Sequence, residues 1–352
     1  MAHARNAPSD SKRWLLCSGS LNLCKRLGLL DDTSSPAARE GTAAHSVRED
    51  CLELGLDPWD FLGTKVAVEG DVFEVDAEMC EALQPGIDRV RQFEGTLFIE
   101  KRVDITPWTG LDDHGRRQGG TLDAGIVGPD LIVIDDLKFG RGIPVEAVKN
   151  YQQVLYALGF YEQFAKFLTK ATRFLIIIDQ PRNAQGGGEW EVSLTELLAI
   201  GEWIKERAAL TFDPDAPCTP SRDACLWCPA SAHQGACPAY EQWSLSFFDV
   251  EMEDLDDFDE LGAALMVPDV GGLTVERMRT IYEHRAMLKK FIARVEASVA
   301  DAVRAGEGDQ YGLKVVNGKR SRRKHKDEEA SAEWLHDAGY EDDRIFVTKL
   351  KT

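Results

Sequence analysis

The sequence lacks any apolar run long enough to cross a membrane. A spanning helix needs roughly 20 apolar residues in succession, and the apolar stretches here, such as RFLIIID at residues 173–179, are far shorter. The amino terminus also lacks a hydrophobic segment of signal-peptide length. We therefore expect no membrane segment and a cytoplasmic location, where the eight cysteines stay reduced and favour metal ligation over disulfides.

Positive charge is also scarce. Lysine and arginine number 41 against 60 aspartates and glutamates, which gives a formal net charge of −19. Such a balance argues against a protein that coats nucleic acid non-specifically, because neutralising phosphates needs clustered basic residues. It does not exclude an enzyme acting on DNA, since an acidic cation site can coexist with a local basic strip. One strip, KVVNGKRSRRKHK at residues 314–326, is either a DNA contact or a solvated loop.

Apolar periodicity and turn residues predict an α/β fold with a mixed sheet flanked by helices. Predicted helices cover residues 9–25, 35–54, 145–168, 274–305 and 328–338. Predicted strands cover residues 96–105, 120–127, 131–139, 173–179 and 189–194. The acidic stretch 249–260 reads as a linker, so we predict a main domain at residues 1–245 and a helical, basic appendage at residues 246–352.

A predicted hairpin brings two aspartates together. In GTLDAGIVGPDLIVIDDLK the turn at Gly128–Leu131 would pair Asp123 with Asp136. Their Cβ atoms would lie about 4.5–5.5 Å apart, which is unfavourable for like charges unless a cation intervenes. Lys138, two residues beyond Asp136, projects to the same face. The pattern predicts a Mg²⁺ or Mn²⁺ site whose bound water Lys138 orients, whereas the alternative is a pair of surface acids near a turn.

Three ordered motifs resemble the RecB branch of the PD-(D/E)XK nucleases. They are Gly120-x-x-Asp123, Asp136-x-Lys138 and Gln152-x-x-x-Tyr156. The resemblance implies a restriction-endonuclease-like core in which Asp123 and Asp136 bind the metal and Lys138 is catalytic. It also implies that Gln152 and Tyr156 contact DNA, although their i, i+4 spacing equally allows a structural role on one helix face.

Two further segments extend the resemblance. EGTAAH, which ends at His45, is similar to a helical motif whose histidine is an additional metal ligand, and Glu100 matches a frequently acidic position. A local hydrogen bond is the alternative role for His45. More narrowly, RWLLCSGS, EGTAAH, DDLKFGRGIPVEAVKNYQ and GLKVVNGKRSRR are similar to a phage and prophage family of RecB-like nucleases described as a domain of unknown function. This similarity covers nearly the whole chain.

The cysteines predict a second metal centre. Cys225-x-x-Cys228 and Cys237 supply three thiols, which is typical of a metal or cluster site. A fourth ligand from Cys218 would make a local site suited to zinc, and one from Cys17 would tie the amino terminus to this segment. The resemblance favours Cys17 and a [4Fe–4S] cluster. The remaining three, Cys24, Cys51 and Cys80, read as small buried residues.

The resemblance implies a metal-dependent deoxyribonuclease, more readily an exonuclease than an endonuclease, that serves phage DNA recombination, repair or processing. Its implied partners are DNA and a phage strand-annealing protein. Two alternatives stay open on the residues alone. One is a non-catalytic DNA-binding or recombination accessory protein that kept the fold, and the other is a zinc-stapled interaction module in which the acid pair is incidental.

Overall fold

The structure is a computed structural model that describes residues 5–29, 35–233, 235–246, 274–313 and residue 336. The helices are α1 (Ser11–Leu16), α2 (Ser20–Arg26), α3 (Pro36–Leu54), α4 (Ala77–Gln92), α5 (Thr106–Thr109), α6 (Tyr151–Phe160), α7 (Lys166–Leu168), α8 (Leu194–Leu210), α9 (Arg222–Cys225), α10 (Pro238–Leu245) and α11 (Val275–Arg304). The strands are β1 (Lys65–Val68), β2 (Asp71–Glu74), β3 (Thr96–Asp104), β4 (Gly119–Val127), β5 (Ile132–Leu137), β6 (Arg173–Asp179) and β7 (Gly188–Ser193).

Five strands form one mixed sheet in the order β3-β4-β5-β6-β7. Strands β5 and β6 are parallel, and the other neighbours are antiparallel. The parallel pair requires a crossover, which the segment containing α6 and α7 provides. All five predicted strands are present, and the prediction of a mixed α/β fold with a sheet flanked by helices is confirmed. The separate β1–β2 hairpin was not predicted. Its two-residue turn consists of Glu69 and Gly70, which both have the positive φ that such a turn requires.

Helices cover both faces of this sheet. On one face α6 and α8 pack through side chains such as Leu155, Phe160 and Ile204. On the other face Val90 of α4 packs against Ile126 and neighbouring strand residues. Each fully buried aliphatic or aromatic side chain contributes roughly 1.5–3 kcal/mol. The sheet is therefore a rigid central layer, and side chains at its ends are held from two sides.

Along β3 and β4, side chains alternate between the two faces of the sheet, and this alternation is interrupted once, at the same level in both strands. A Cβ atom added at Gly120 or Gly125 of β4 would meet a ring of α6, although residues five apart normally face opposite sides. In β3, Phe98 and Val103 likewise both contact α6. The register is unchanged on either side, so the two strands share one irregularity. It lies at Glu100, whose φ of 43° is left-handed.

Helix α3 matches its prediction, and helix α6 does not. Ser35 Oγ accepts a hydrogen bond from Ala38 N at 3.1 Å, and α3 then runs from Pro36. The helix predicted to begin at Val145 begins only at Tyr151, so that prediction was wrong at its start. Val145 instead bonds through its backbone to the β6–β7 connection. Lys149 is left-handed, and the Asn150 side chain caps the helix after it.

The amino-terminal segment divides into two short helices because it approaches another backbone closely. The predicted helix at 9–25 breaks between α1 and α2, where Gly19 N donates to Pro217 O at 3.1 Å. A Cβ atom at Gly19 would lie 2.3 Å from Ala216 O, so only glycine fits there. This contact places Cys17 beside the cysteine-rich segment.

The structure describes only some of the elements predicted for the carboxy-terminal part of the chain. Helix α11 confirms the helix predicted at 274–305. By contacts, residues 1–295 form one compact unit and residues 296–352 a second, and the predicted domain boundary at 245 stays a prediction. The acidic linker at 249–260, the basic strip at 314–326 and, apart from residue 336, the helix at 328–338 lie outside the described residues. Within the part of the chain that the structure covers, no helix has the length and apolarity to span a bilayer.

Candidate active site

Acidic side chains from three neighbouring strands meet where the β4–β5 ladder ends. Glu100 lies across from Asp123, because the pairs Ile99↔Ala124 and Lys101↔Leu122 flank them. On the other side of β4, Ala124 pairs with Asp135, which is the last rung before the strands separate. The register of this hairpin is the predicted one. Asp123 and Asp136 follow immediately beyond the last rung.

Because β4 and β5 separate beyond this pair, the side chain of Asp123 can bond to groups outside the regular ladder. Asp123 Oδ2 accepts a hydrogen bond from the backbone N of Leu137 at 2.8 Å, in place of a regular ladder bond. The same oxygen lies 3.1 Å from His45 Nδ1 on α3. The ladder ends one residue before the predicted Asp123–Asp136 pair, but the two carboxylates remain neighbours, since burial and then the charge of Asp123 raise the pKa of Asp136.

His45, Glu100 and Asp123 form a group that is compatible with a divalent cation. Each offers one ligand atom, and these three atoms lie within 4.8 Å of one another. Burial and the negative charge of Asp123 raise the pKa of Glu100 to about 7. For His45, burial lowers the pKa, but the hydrogen bond to Asp123 and its charge outweigh burial and raise it. A cation among these groups would replace the protons that now relieve their repulsion.

Asp136 and Lys138 form an ion pair beside this group. Lys138 Nζ lies 2.5 Å from Asp136 Oδ2, and the Asp136 residue is only 2% exposed. Burial lowers the pKa of Lys138, but the charges of Asp136 and Asp123 offset burial and raise it. The lysine is therefore held as a cation next to the carboxylates. We call His45, Glu100, Asp123, Asp136 and Lys138 the carboxylate site.

Gln152 and Tyr156 lie on α6 at the edge of the carboxylate site. Gln152 Nε2 donates to Tyr156 Oη at 3.4 Å. Burial raises the pKa of Tyr156, and the nearby charges of Asp136, Asp123 and Glu100 add to this effect. Tyr156 is thus a neutral hydroxyl close to the acids. Its ring occupies the space that a side chain at Gly120 would need, since a Cβ atom there would lie 2.7 Å from Tyr156 Cε1.

The chain that follows Lys138 is fastened by Gln180, a buried residue for which the sequence offered no signal. Gln180 Oε1 accepts from Val145 N at 2.8 Å, and Nε2 donates to Gly140 O and Ile143 O at 3.2 and 3.1 Å. Lys138 N also donates to Asp179 O at 2.7 Å. These bonds set the path between Lys138 and α6, and so the spacing between the lysine and the Gln152–Tyr156 pair.

The structure groups six cysteines, which we call the cysteine site. Its members are Cys17, Cys24, Cys218, Cys225, Cys228 and Cys237. All six are free thiols. The cavity between them is lined by five of the six and by Tyr240, Cys24 being the exception. Both candidate fourth ligands, Cys17 and Cys218, are therefore present at the predicted centre.

Hydrogen bonds within the cysteine site favour the thiolate forms of Cys228 and Cys237, whereas burial raises the pKa of Cys225 to about 12. A hydrogen bond with Cys24, whose Sγ lies 3.9 Å from that of Cys228, lowers the pKa of Cys228 to about 6. A hydrogen bond with Cys218 lowers the pKa of Cys237 to about 7. Cys24, which the sequence suggested was a simple core residue, is thus in contact with a candidate ligand, whereas Cys51 and Cys80 are buried between α3 and α4.

Comparison with known proteins adds a family and two distant structures. The sequence profile described as "Protein of unknown function (DUF2800)" matches residues 3–352. A crystal structure named "Putative exonuclease" from Eubacterium rectale is 14% identical, covers 58% of this chain and 79% of its own, and has a TM-score of 0.29. The crystal structure of SSO0001 is also 14% identical, and the match covers 63% of this chain and 95% of that one, with a TM-score of 0.27. Likeness at this level carries no argument about activity.

Proposed function

The chain belongs to DUF2800, a family of proteins of unknown function, and from its site we propose that it is a metal-dependent DNA nuclease of the PD-(D/E)XK type. The observation that supports this most is the convergence of His45, Glu100 and Asp123 within ligand distance of one another, beside a buried ion pair of Asp136 and Lys138. Acidic oxygens with an adjacent lysine suit a cation that also binds phosphate.

The residues present fit a divalent cation. Burial and the charge of Asp123 raise the pKa of Glu100 to about 7, and the buried carboxylate of Asp136 has Lys138 as its charged neighbour. Asp123, Glu100, His45 and Asp136 would hold Mg²⁺ or Mn²⁺, which supplies a water of lowered pKa and stabilises charge on phosphate when bound.

The protein's own groups then have distinct roles in phosphodiester hydrolysis. Lys138, held by Asp136, donates a hydrogen bond that orients the attacking water and balances the charge that develops on the phosphate oxygens. Tyr156 and Gln152, on the adjacent helix, donate to the DNA strand and fix its position. Because Tyr156 stays neutral, it can donate a hydrogen bond without adding charge.

Activity is tested with DNA of three forms. Linear duplex, closed circular duplex and single-stranded DNA are incubated with the protein and Mg²⁺ or Mn²⁺. We expect digestion by the wild type and by Lys205→Ala, which alters an exposed lysine on α8. Lys138→Ala and Asp123→Asn should lose activity by about 100-fold or more. Equal digestion by all four proteins would mean that a contaminant or another site is responsible.

The form of the substrate and the setting are finer parts of the proposal. The family resemblance of the sequence motifs favours an exonuclease, so linear DNA should be degraded and circular DNA should not. The same resemblance suggests a cytoplasmic role in phage DNA recombination, repair or processing, together with a strand-annealing protein. Nicking of circular DNA at a rate similar to the degradation of linear DNA would instead assign an endonuclease.

We also propose a [4Fe–4S] cluster in the cysteine site, held by Cys17, Cys225, Cys228 and Cys237. Tetrahedral zinc, with Zn–S bonds near 2.3 Å, would need sulfur atoms about 3.8 Å apart. No three cysteine sulfurs among the described residues lie within 4.8 Å of one another, which supports a larger group. The buried guanidinium of Arg13, 3.7 Å from Cys24 Sγ, adds positive charge near the thiolates.

Anaerobic purification tests this assignment. The protein should be brown, with a charge-transfer absorption that Cys17→Ala removes and Cys80→Ala, in a separate core, retains. Loss of the colour in Cys218→Ala but not in Cys17→Ala would move the fourth ligand to Cys218. Colourless protein containing one zinc per chain would replace the cluster with zinc.

A further inference from the structure

Arg48 is a buried arginine that contacts the carboxylate site without being one of its predicted members. It lies on α3 three residues after His45, so the two side chains share one face of the helix. Its residue is 2% exposed. A charge buried this deeply costs several kcal/mol unless it is paired. Its partners therefore indicate its role.

The guanidinium of Arg48 joins two aspartates that belong to different strands. It forms a close ion pair with Asp135 of β5, and its Nη1 lies 3.7 Å from Asp123 Oδ2 on β4. Asp135 is fully buried, and its second carboxylate oxygen has no hydrogen-bond partner among the described residues. Asp135 thus has one evident charged partner, and that partner reaches onward to the carboxylate site.

Asp123 is consequently held from three directions. Its Oδ2 accepts from Leu137 N, lies 3.1 Å from His45 Nδ1 and faces the Arg48 guanidinium. If His45 coordinates a bound metal ion, its imidazole no longer hydrogen-bonds to Asp123. The contacts of Asp123 with Leu137 N and with Arg48 then remain. A carboxylate that binds a metal needs such an outer contact to keep its orientation.

We propose that Arg48 is a positioning residue that fixes the carboxylate of Asp123 for cation binding, with Asp135 as its anchor. This inference rests on the proposed function. It also accounts for the consecutive acids of the IDDLK segment, because Asp136 pairs with Lys138 while Asp135 pairs with Arg48. One strand thereby supports both cationic side chains of the region.

A purely structural role makes a different prediction from a positioning role. Replacing both members of a buried ion pair by apolar residues of similar size often restores or raises stability, whereas removing one member is strongly destabilising. The variants are Arg48→Met, Arg48→Lys, and the double variant Arg48→Met with Asp135→Leu. The matched control is Arg91→Met, which removes an arginine that donates to Cys51 O in the last turn of α3.

Four quantities are measured for each variant: the unfolding midpoint, Mn²⁺ affinity by electron paramagnetic resonance, and kcat and KM on linear DNA. We expect the double variant to unfold near the wild-type midpoint but to lose about 10–100-fold in Mn²⁺ affinity or kcat. KM for DNA should change little. Arg48→Lys should fold and show a similar loss, because an ammonium cannot bridge two carboxylates as a guanidinium does.

The outcomes separate this inference from the proposed function. If Arg48→Lys and the double variant bind Mn²⁺ and digest DNA as the wild type and Arg91→Met do, Arg48 is structural only and the inference fails. If the wild type itself neither binds Mn²⁺ nor digests DNA, the proposed function fails first. Arg48→Met alone is the reference for stability. It leaves Asp135 buried and unpaired, so it should unfold at a lower midpoint than the double variant.

Discussion

Binding of a divalent cation to the carboxylate site should release protons from Glu100 and His45. In the metal-free protein, burial and the charge of Asp123 place the pKa of Glu100 at about 7, and the contact with Asp123 raises the pKa of His45. A cation binds the carboxylate and the neutral imidazole, so both protons compete with it. Affinity should therefore rise with pH across the neutral range.

The magnitude follows from the pKa of Glu100. With a pKa of about 7, roughly one tenth of Glu100 is ionised at pH 6 and nine tenths at pH 8. This group alone should raise the apparent affinity for Mn²⁺ about tenfold between those values. His45 adds to the slope in the same direction, because its protonated form cannot be a ligand.

Calorimetry in buffers of different ionisation enthalpy counts the protons directly. Near pH 6 we expect nearly two protons released per Mn²⁺ bound by the wild type and about one by Glu100→Gln, which keeps His45. His45→Ala should also release about one. Release that is unchanged in Glu100→Gln, or an affinity independent of pH between 6 and 8, would refute the assignment of Glu100 as a ligand.

Three further predictions rest on the same structure. Gly120→Ala should cost about 1–3 kcal/mol in urea unfolding and lower activity, because the new methyl group overlaps the Tyr156 ring; a neutral substitution would mean that the ring moves freely. Chelation by EDTA should abolish DNA digestion without changing the far-ultraviolet circular dichroism, and Mn²⁺ should restore it; digestion that persists in EDTA would contradict a cation-dependent site. Arg294→Met should destabilise the protein by about 3 kcal/mol and speed proteolysis at residues 229–233, because this buried side chain on α11 pairs with Glu241 and donates to Ser231 O and His233 O; unchanged proteolysis would mean that α11 does not brace this segment.

Local patterns in the sequence were sufficient for the strands and for the hairpin. The predicted turn at Gly128–Leu131 is present, Gly128 N donates to Leu131 O at 2.9 Å, and the pairs beyond it keep the predicted register. Helix α3 was equally accessible, because Ser35 and Pro36 form a start signal that depends only on neighbouring residues. Such features rest on backbone geometry and on contacts within a few residues.

Contacts between distant segments account for what the sequence could not supply. Helix α6 begins at Tyr151 and not at the predicted Val145, because Val145 bonds to the β6–β7 connection, which is far away in sequence. Likewise, the shift in alternation at Glu100 becomes visible only when β3 and β4 are paired. Hydrophobic periodicity assumes a regular strand and passes over a single irregular residue.

The sequence by itself determined which residues could carry the chemistry: the ordered acids, the lysine after them, and the cysteine triplet. Tertiary structure alone decided how those residues meet, because the side-chain contacts of His45 and Arg48 with Asp123, and of Cys24 with Cys228, join segments tens to hundreds of residues apart. A buried arginine has no pattern of its own in a sequence. Its partners, here Asp135 and Asp123, exist only once the sheet and the helix have packed together.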